Sequence, residues 1–166
     1  MINTIDLRGE WSFGLDPNKL GIEEGYFNKN FNEIIILPTT TSEARKGVYN
    51  SERHTGYLTD PYMYEGYAWY TKEIEFPEDM ANKQIELLLE RTRISKLWID
   101  GNYVGTCNTL NGKHRYNISS YISKRLHRIS LMIDNSAYPV KGGHMTSPDT
   151  QTNWNGITGD IKINVY

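Results

Sequence analysis

Residues 84–105 read QIELLLERTRISKLWIDGNYVG. Ile85, Leu87 and Leu89 alternate with Glu86 and Glu90, a period of two that puts one strand face in a core. A polar break at residues 91–93 follows. The alternation then resumes, with Leu97 and Ile99 on one face and Lys96, Trp98 and Asp100 on the other. Asp100-Gly101, followed by Asn102, is a hairpin signal, because a tight hairpin turn needs residues that tolerate positive φ. Tyr103 and Val104 begin the return strand and Gly105 ends it. The stretch predicts antiparallel β.

The alternation spreads outward from this hairpin. Leu7, Gly9, Trp11 and Phe13 fall at alternate positions within residues 2–15, which reads as one first strand ended by Asp16-Pro17. Residues 19–32 are polar with scattered aromatics, a loop or one short helix. Residues 33–37 are a brief apolar run before Pro38, so they read as an edge or terminal strand. Residues 39–66 are the least regular part, rich in Thr, Gly and Tyr; a loop this long is either functional or a surface insertion packed down by its own tyrosines. Residues 67–76 form a strand with Tyr70, Ile74 and Phe76 on one face and Trp69, Thr71, Glu73 and Glu75 on the other. A Trp on a polar face lies either under a neighbouring loop or open to a ligand. Residues 114–122 run from a strand end into a turn, 125–134 are a strand, 138–156 are irregular, and 160–166 close the chain with Ile161, Ile163 and Val165 alternating. Many short strands and no long helix predict an all-β, jelly-roll β-sandwich. The chain stops at its last strand, as a single domain cut from a larger protein would.

A chain of 166 residues suits one domain and can bury a core. It is too short for a (β/α)₈ barrel, which takes roughly 250 residues. The formal net charge of -2 and the absence of a long apolar run argue against nucleic acid and membrane as partners. Tyr and Trp outnumber Phe, which suits strands, interfaces and carbohydrate contact alike. Cys107 is the only cysteine, so an internal disulfide and a cysteine-based zinc cluster are excluded; it reads as a small buried or half-buried residue near a hairpin, not a nucleophile.

The sequence carries no HExxH, GxSxG, P-loop or GxGxxG pattern, so no catalytic residue, metal or cofactor is expected. His54, His114, His127 and His144 are scattered and read as surface or satisfied side chains. Glu73, Glu75, Glu86 and Glu90 alternate with apolar residues and read as solvent-facing rather than as a catalytic dyad. Asn117-Ile118-Ser119 matches a glycosylation acceptor, a pattern that arises often by chance. Residues 150–159, TQTNWNGITG, differ in kind. Gln151, Asn153 and Asn155 offer amide donors and acceptors around Trp154, and Gly156 and Gly159 allow close backbone approach. Amides beside an indole face are what a sugar needs, namely partners for hydroxyls and cover for its C–H face. The same residues also build turns in which Asn side chains satisfy their own backbone and the Trp lies in the core.

Leu7-x-Gly-x-Trp11-x-Phe13, Ala68-Trp69-Tyr70-x-Lys72, Leu97-Trp98-Ile99-Asp100-Gly101-x-x-Val104-Gly105 and Gly156-Ile157-x-Gly159 occur in that order. Together they resemble the N-terminal sugar-binding, jelly-roll domain of glycoside hydrolase family 2, which includes β-galactosidases, β-glucuronidases and β-mannosidases, in the form seen in Bacteroides-type gut bacteria. The resemblance covers essentially the whole chain. It implies a non-catalytic domain followed in its parent by an immunoglobulin-like domain and a (β/α)₈ barrel that carries both catalytic glutamates of a retaining mechanism. It also implies a periplasmic or secreted parent, and carbohydrate as the partner. By position, the loops that would wall the barrel's active site are residues 62–66 and 151–155, which makes Tyr64, Glu65, Gln151, Asn153, Trp154 and Asn155 the candidate substrate-binding residues. Asp100 stands where the family more often has Asn, and Asn153 stands where many β-galactosidases have an acid. A metal-linked carboxylate contact is therefore not carried over. The alternatives are a structural buttress for the barrel or an oligomer interface, and an independent carbohydrate-binding module that uses Trp69 and Trp98.

Overall fold

The computed structural model describes residues 3–52, 56, 60–80, 82–138 and 152–166. Among these, the strands in chain order are β1 (Asn3–Asp6), β2 (Gly9–Asp16), β3 (Glu33–Leu37), β4 (Thr39–Thr40), β5 (Val48–Tyr49), β6 (Tyr62–Met63), β7 (Tyr67–Glu75), β8 (Ile85–Leu89), β9 (Ile94–Ile99), β10 (Asn102–Cys107), β11 (His114–Asn117), β12 (Leu126–Asp134), β13 (Gly156–Ile157) and β14 (Ile161–Val165). Two sheets face each other. One has the order β1-β14-β8-β11 and the other β10-β9-β12-β7-β2-β3, with every neighbouring pair antiparallel. Two-stranded ribbons β13-β4 and β5-β6 sit apart from them. This is the jelly-roll β-sandwich that the alternation predicts.

The alternating residues meet between the sheets. Trp11 and Phe13 from β2, Tyr70 from β7, Leu97 and Ile99 from β9 and Leu131 from β12 pack against Leu87 from β8 and Ile163 from β14 in one buried cluster. At about 25 cal/mol per Å² of apolar surface, this burial is the main force holding the layers together. The single first strand expected over 2–15 is in fact two. The chain leaves the four-stranded sheet after Asp6, passes through buried Leu7, and enters the six-stranded sheet at Gly9. A period of two is unchanged by such a crossover, because Leu7 and Trp11 both end up facing the same core. The Trp11 indole N–H donates to the Leu7 carbonyl at 2.8 Å and fixes the corner. β3 is the edge strand that Pro38 implies.

The outer face of the six-stranded sheet is covered rather than open. Trp69 is fully buried and Trp98 is 4 % exposed, their rings 5.2 Å apart. Tyr26 and Phe27, in a 3₁₀ turn at Tyr26–Asn28, close over them. The Asp16 carboxylate organises this cover. It accepts the Leu20 and Gly21 N–H groups and the Trp69 indole N–H, at 2.8–3.2 Å. Trp69 and Trp98 therefore serve a second, smaller core, and the platform of an independent carbohydrate-binding module is not what they form.

The histidines within the described residues are satisfied side chains, whereas His54 and His144 lie outside those residues. His114 is buried, with Nε2 on the Thr109 carbonyl at 2.7 Å and Nδ1 on the Ser95 hydroxyl at 2.6 Å. The carbonyl can only accept, so Nε2 carries the proton, and desolvation holds the imidazole's pKa below its ordinary value. Glu73 and Glu75 are solvent-facing as expected. Glu86 and Glu90 are half-buried instead, Glu86 through its ion pair with Arg115 on the neighbouring strand.

The central hairpin turns at Asp100 (φ 48°) and Gly101 (φ 80°), the left-handed pair that a tight hairpin needs. Asp100 does more than turn. Its Oδ2 accepts from His127 Nδ1 at 2.6 Å and its Oδ1 from the Arg128 N–H at 2.9 Å. Burial raises the Asp100 pKa, but the Arg128, His127 and Lys124 contacts outweigh that and leave it lowered. His127 Nε2 is committed as acceptor to the Ser123 and Lys124 N–H groups, so Nδ1 must be the donor. Asp100→Asn would keep the turn but set an amide N–H₂ or an already engaged oxygen against that donor. We expect a loss of about 1–3 kcal/mol in urea unfolding. An unchanged midpoint would mean that the turn alone uses Asp100.

Candidate functional site

The start of β7, the end of β12 and the start of β9 lie side by side, with Asp134 opposite both Tyr67 and Ile94. The two stretches singled out by sequence converge at this end of the sandwich. Their joint is Asn135, which directly follows β12 and is buried. Its Oδ1 accepts the Gly66 N–H at 3.0 Å, and its Nδ2 donates to the Tyr64 carbonyl at 2.8 Å and to the Asn153 carbonyl at 2.9 Å. Asn153 returns the contact, its Nδ2 donating to the Asn135 carbonyl at 3.0 Å. One amide thus welds residues 64–66 to residues 152–155.

Tyr64 is half-buried, and its hydroxyl is used within the chain. It accepts the Asp16 N–H at 3.0 Å and donates to the Tyr67 carbonyl. Burial pushes its pKa well above the usual phenol range. Tyr64 therefore sets the loop's shape, and Glu65 beside it is exposed. Asn153 and Trp154 are half-buried. Gln151 lies outside the described residues.

Asn155 is where the sequence expectation needs correcting. Placed among sugar-facing residues by its position beside Trp154, it is instead fully buried and points inward. Its Nδ2 donates to the carbonyls of Gly66 and Ile133 at 3.2 and 3.1 Å and reaches Asn135 Oδ1 at 3.4 Å. A buried amide must satisfy its donors, and three acceptors from β12 and the loop before β7 do so here. Asn155 is the pin beneath the loop.

Arg93 is the residue that sequence reasoning passed over as part of a polar break. It is 1 % exposed, and its Nε donates to the Trp154 carbonyl at 2.9 Å while Nη2 donates to the Thr152 carbonyl at 3.3 Å. Its guanidinium lies 4.2 Å from the centre of the Trp154 ring and 5.9 Å from that of Tyr138. The only signal in the sequence was a charged residue between two apolar strands. Below the loop, Thr92 Oγ1 donates to the Gly156 carbonyl at 2.7 Å, and β13 pairs with β4. The arrangement holds a partly exposed Trp154 on a rigid base and joins it, through Asn135, to the loop that carries exposed Glu65.

The profile of the family "Glycosyl hydrolases family 2, sugar binding domain" matches residues 4–164. The chain belongs to this family. Solved structures of similar fold include β-glucuronidases, among them the apo enzyme from Ruminococcus gnavus (TM-score 0.76, 18 % identity) and an enzyme from an uncultured Clostridium species (TM-score 0.75, 15 % identity). The R. gnavus enzyme in complex with D-glucaro 1,5-lactone superposes with a TM-score of 0.75 at 17 % identity. Each of these matches takes in 99 % of this chain and 29 % of the other, so the chain spans less than a third of the length of the enzymes that it resembles. At these identities the likeness speaks for the fold. No curated protein matches the sequence. The family 2 domain thus presents its two joined loops at one end of a β-sandwich whose inner faces, and the Trp69–Trp98 patch outside them, are filled.

Proposed function

We propose that this family 2 domain is non-catalytic and contributes a carbohydrate-binding wall to the active site of a parent glycosidase. The observation that carries the reading is the partly exposed Trp154, held from below by Arg93 and joined through Asn135 to the loop bearing exposed Glu65. An indole covers the C–H face of a sugar, and amide or carboxylate groups at its edge pair with hydroxyls. In this reading Trp154 stacks on the sugar, Gln151 supplies an amide, Glu65 accepts from hydroxyls, and Tyr64, Asn153 and Asn155 shape the loops, the Asn153 amide being turned inward with Nδ2 on the Asn135 carbonyl and Oδ1 buried. Bond cleavage would fall to the two glutamates of a (β/α)₈ barrel, with an immunoglobulin-like domain between, in a parent that is periplasmic or secreted.

Calorimetric titration of the chain with galactose, glucuronic acid and mannose tests this. Trp154→Ala is expected to weaken binding at least about tenfold, or ~1.4 kcal/mol, while cooperative unfolding persists. The chain itself is expected to turn over no aryl glycoside. If Trp154→Ala abolishes folding instead, the indole is core and the sugar reading is wrong. A buttress role also has an observation in its favour. Ile36, Val48 and Tyr49 are 65 %, 74 % and 66 % exposed, apolar surface of the kind that other domains cover. A Trp154→Ala variant that folds and binds sugar as well as the unaltered chain would favour that role.

A further inference from the structure

A guanidinium withdrawn from water is costly to hold, and an aliphatic side chain of similar length would fill the same space without the cost. Arg93 is 1 % exposed and still carries its guanidinium to residues 152–154. There it meets two backbone carbonyls, of Thr152 and Trp154, and the face of one indole. The planar fork is suited to this task. It donates in fixed directions while stacking on an aromatic face, which the ammonium of a lysine cannot do. Both carbonyls belong to the backbone on either side of Asn153, so the fork sets the direction in which Asn153 and Trp154 leave the chain.

We propose that Arg93 is the positioning residue of the sugar site, covering one face of the Trp154 indole and fixing its plane so that the opposite face meets the ligand. The proposal rests on the reading of Trp154 as sugar-facing. Arg93 itself touches no sugar and acts through Trp154. Burial lowers its pKa while the neighbouring Tyr138 opposes that shift, in keeping with a cation kept inside for a purpose.

The test uses the ¹⁵N-labelled chain with Arg93→Lys and Arg93→Met, read by the four indole N–H resonances and by titration with galactose, glucuronic acid and mannose. The Trp154 resonance is expected to move or split in both variants, while those of Trp11, Trp69 and Trp98 stay in place. Affinity for whichever of the three sugars binds is expected to fall about tenfold in Arg93→Lys. An unmoved Trp154 resonance with unchanged affinity, alongside a lowered melting temperature, would make Arg93 a core filler and overturn the proposal. Should the unaltered chain bind none of the three sugars, the sugar reading fails, and the Trp154 resonance still decides whether Arg93 positions the indole. If both variants unfold, the Arg93 Nε–H resonance is compared between the unaltered chain and Trp154→Ala. Loss of an upfield ring-current shift supports the stacked geometry, and no change overturns it.

Discussion

Asn155→Asp, a change of one NH₂ group for one oxygen, is expected to cost the domain roughly 3–5 kcal/mol, a large share of the about 5–15 kcal/mol by which folded domains are ordinarily stable. The reason lies in what surrounds the amide. Asn155 Nδ2 faces the Gly66 and Ile133 carbonyls and Asn135 Oδ1, all of them acceptors. A carboxylate placed there would be a fully buried charge against three oxygens. A protonated acid would satisfy one acceptor and strand the others. Asn155 Oδ1 is already buried without a hydrogen-bond partner among the described residues, so the site has no slack on its other side. Urea unfolding of the variant, followed by far-UV circular dichroism, measures the loss. A cost below about 1 kcal/mol would mean that these carbonyls find water and that the pin is not needed.

Gly156→Ala is the second large effect expected. Gly156 has φ 137°, a region that L side chains rarely adopt, and a Cβ there would stand 2.4 Å from the Thr39 carbonyl oxygen and 2.8 Å from the Thr40 Cα. Both obstacles are backbone, and both belong to the strand with which β13 pairs. The ribbon must open, which also releases the Thr92 contact to the Gly156 carbonyl. Strain and the broken pairing together should cost about 2–4 kcal/mol. The loss is expected to begin locally, with amide hydrogen exchange at Thr40 and Ile157 quickening before the sheet cores respond. Uniform acceleration across both sheets would contradict that picture.

Most of the fold could be read from the chain because the sheets are two-sided and their sides differ. The alternation of Ile85, Leu87 and Leu89, and of Leu97 with Ile99, survives into the structure as one core face. The step between Asp6 and Gly9 could not be read. A crossover between sheets changes hydrogen-bond partners, not side-chain period, and those partners lie at the far end of the chain in β14 and in the middle in β7. Trp69 on its polar face was ambiguous for the same reason, since its cover comes from residues 16–31. At the site, the stretch around Trp154 stood out by composition. Its supports did not. Arg93 and Asn135 are 61 and 18 residues from the loop groups that they hold, and a lone Arg or Asn gives no local sign of a distant carbonyl. Asn155 illustrates the limit of composition most sharply. The amide that suits a sugar hydroxyl equally suits a buried carbonyl, and only burial separates the two.

The account stands or falls on whether the joined loops meet a sugar through Trp154. The direct measurement is the indole N–H spectrum of the ¹⁵N-labelled chain during titration with glucuronic acid, galactose and mannose to millimolar concentration. The Trp154 resonance is predicted to shift in a saturable way with one of these sugars, while Trp11, Trp69 and Trp98, all buried in cores, hold still. Saturable shifts at Trp69 or Trp98 with Trp154 unmoved would contradict the account and place the sugar on the covered face of the sheet.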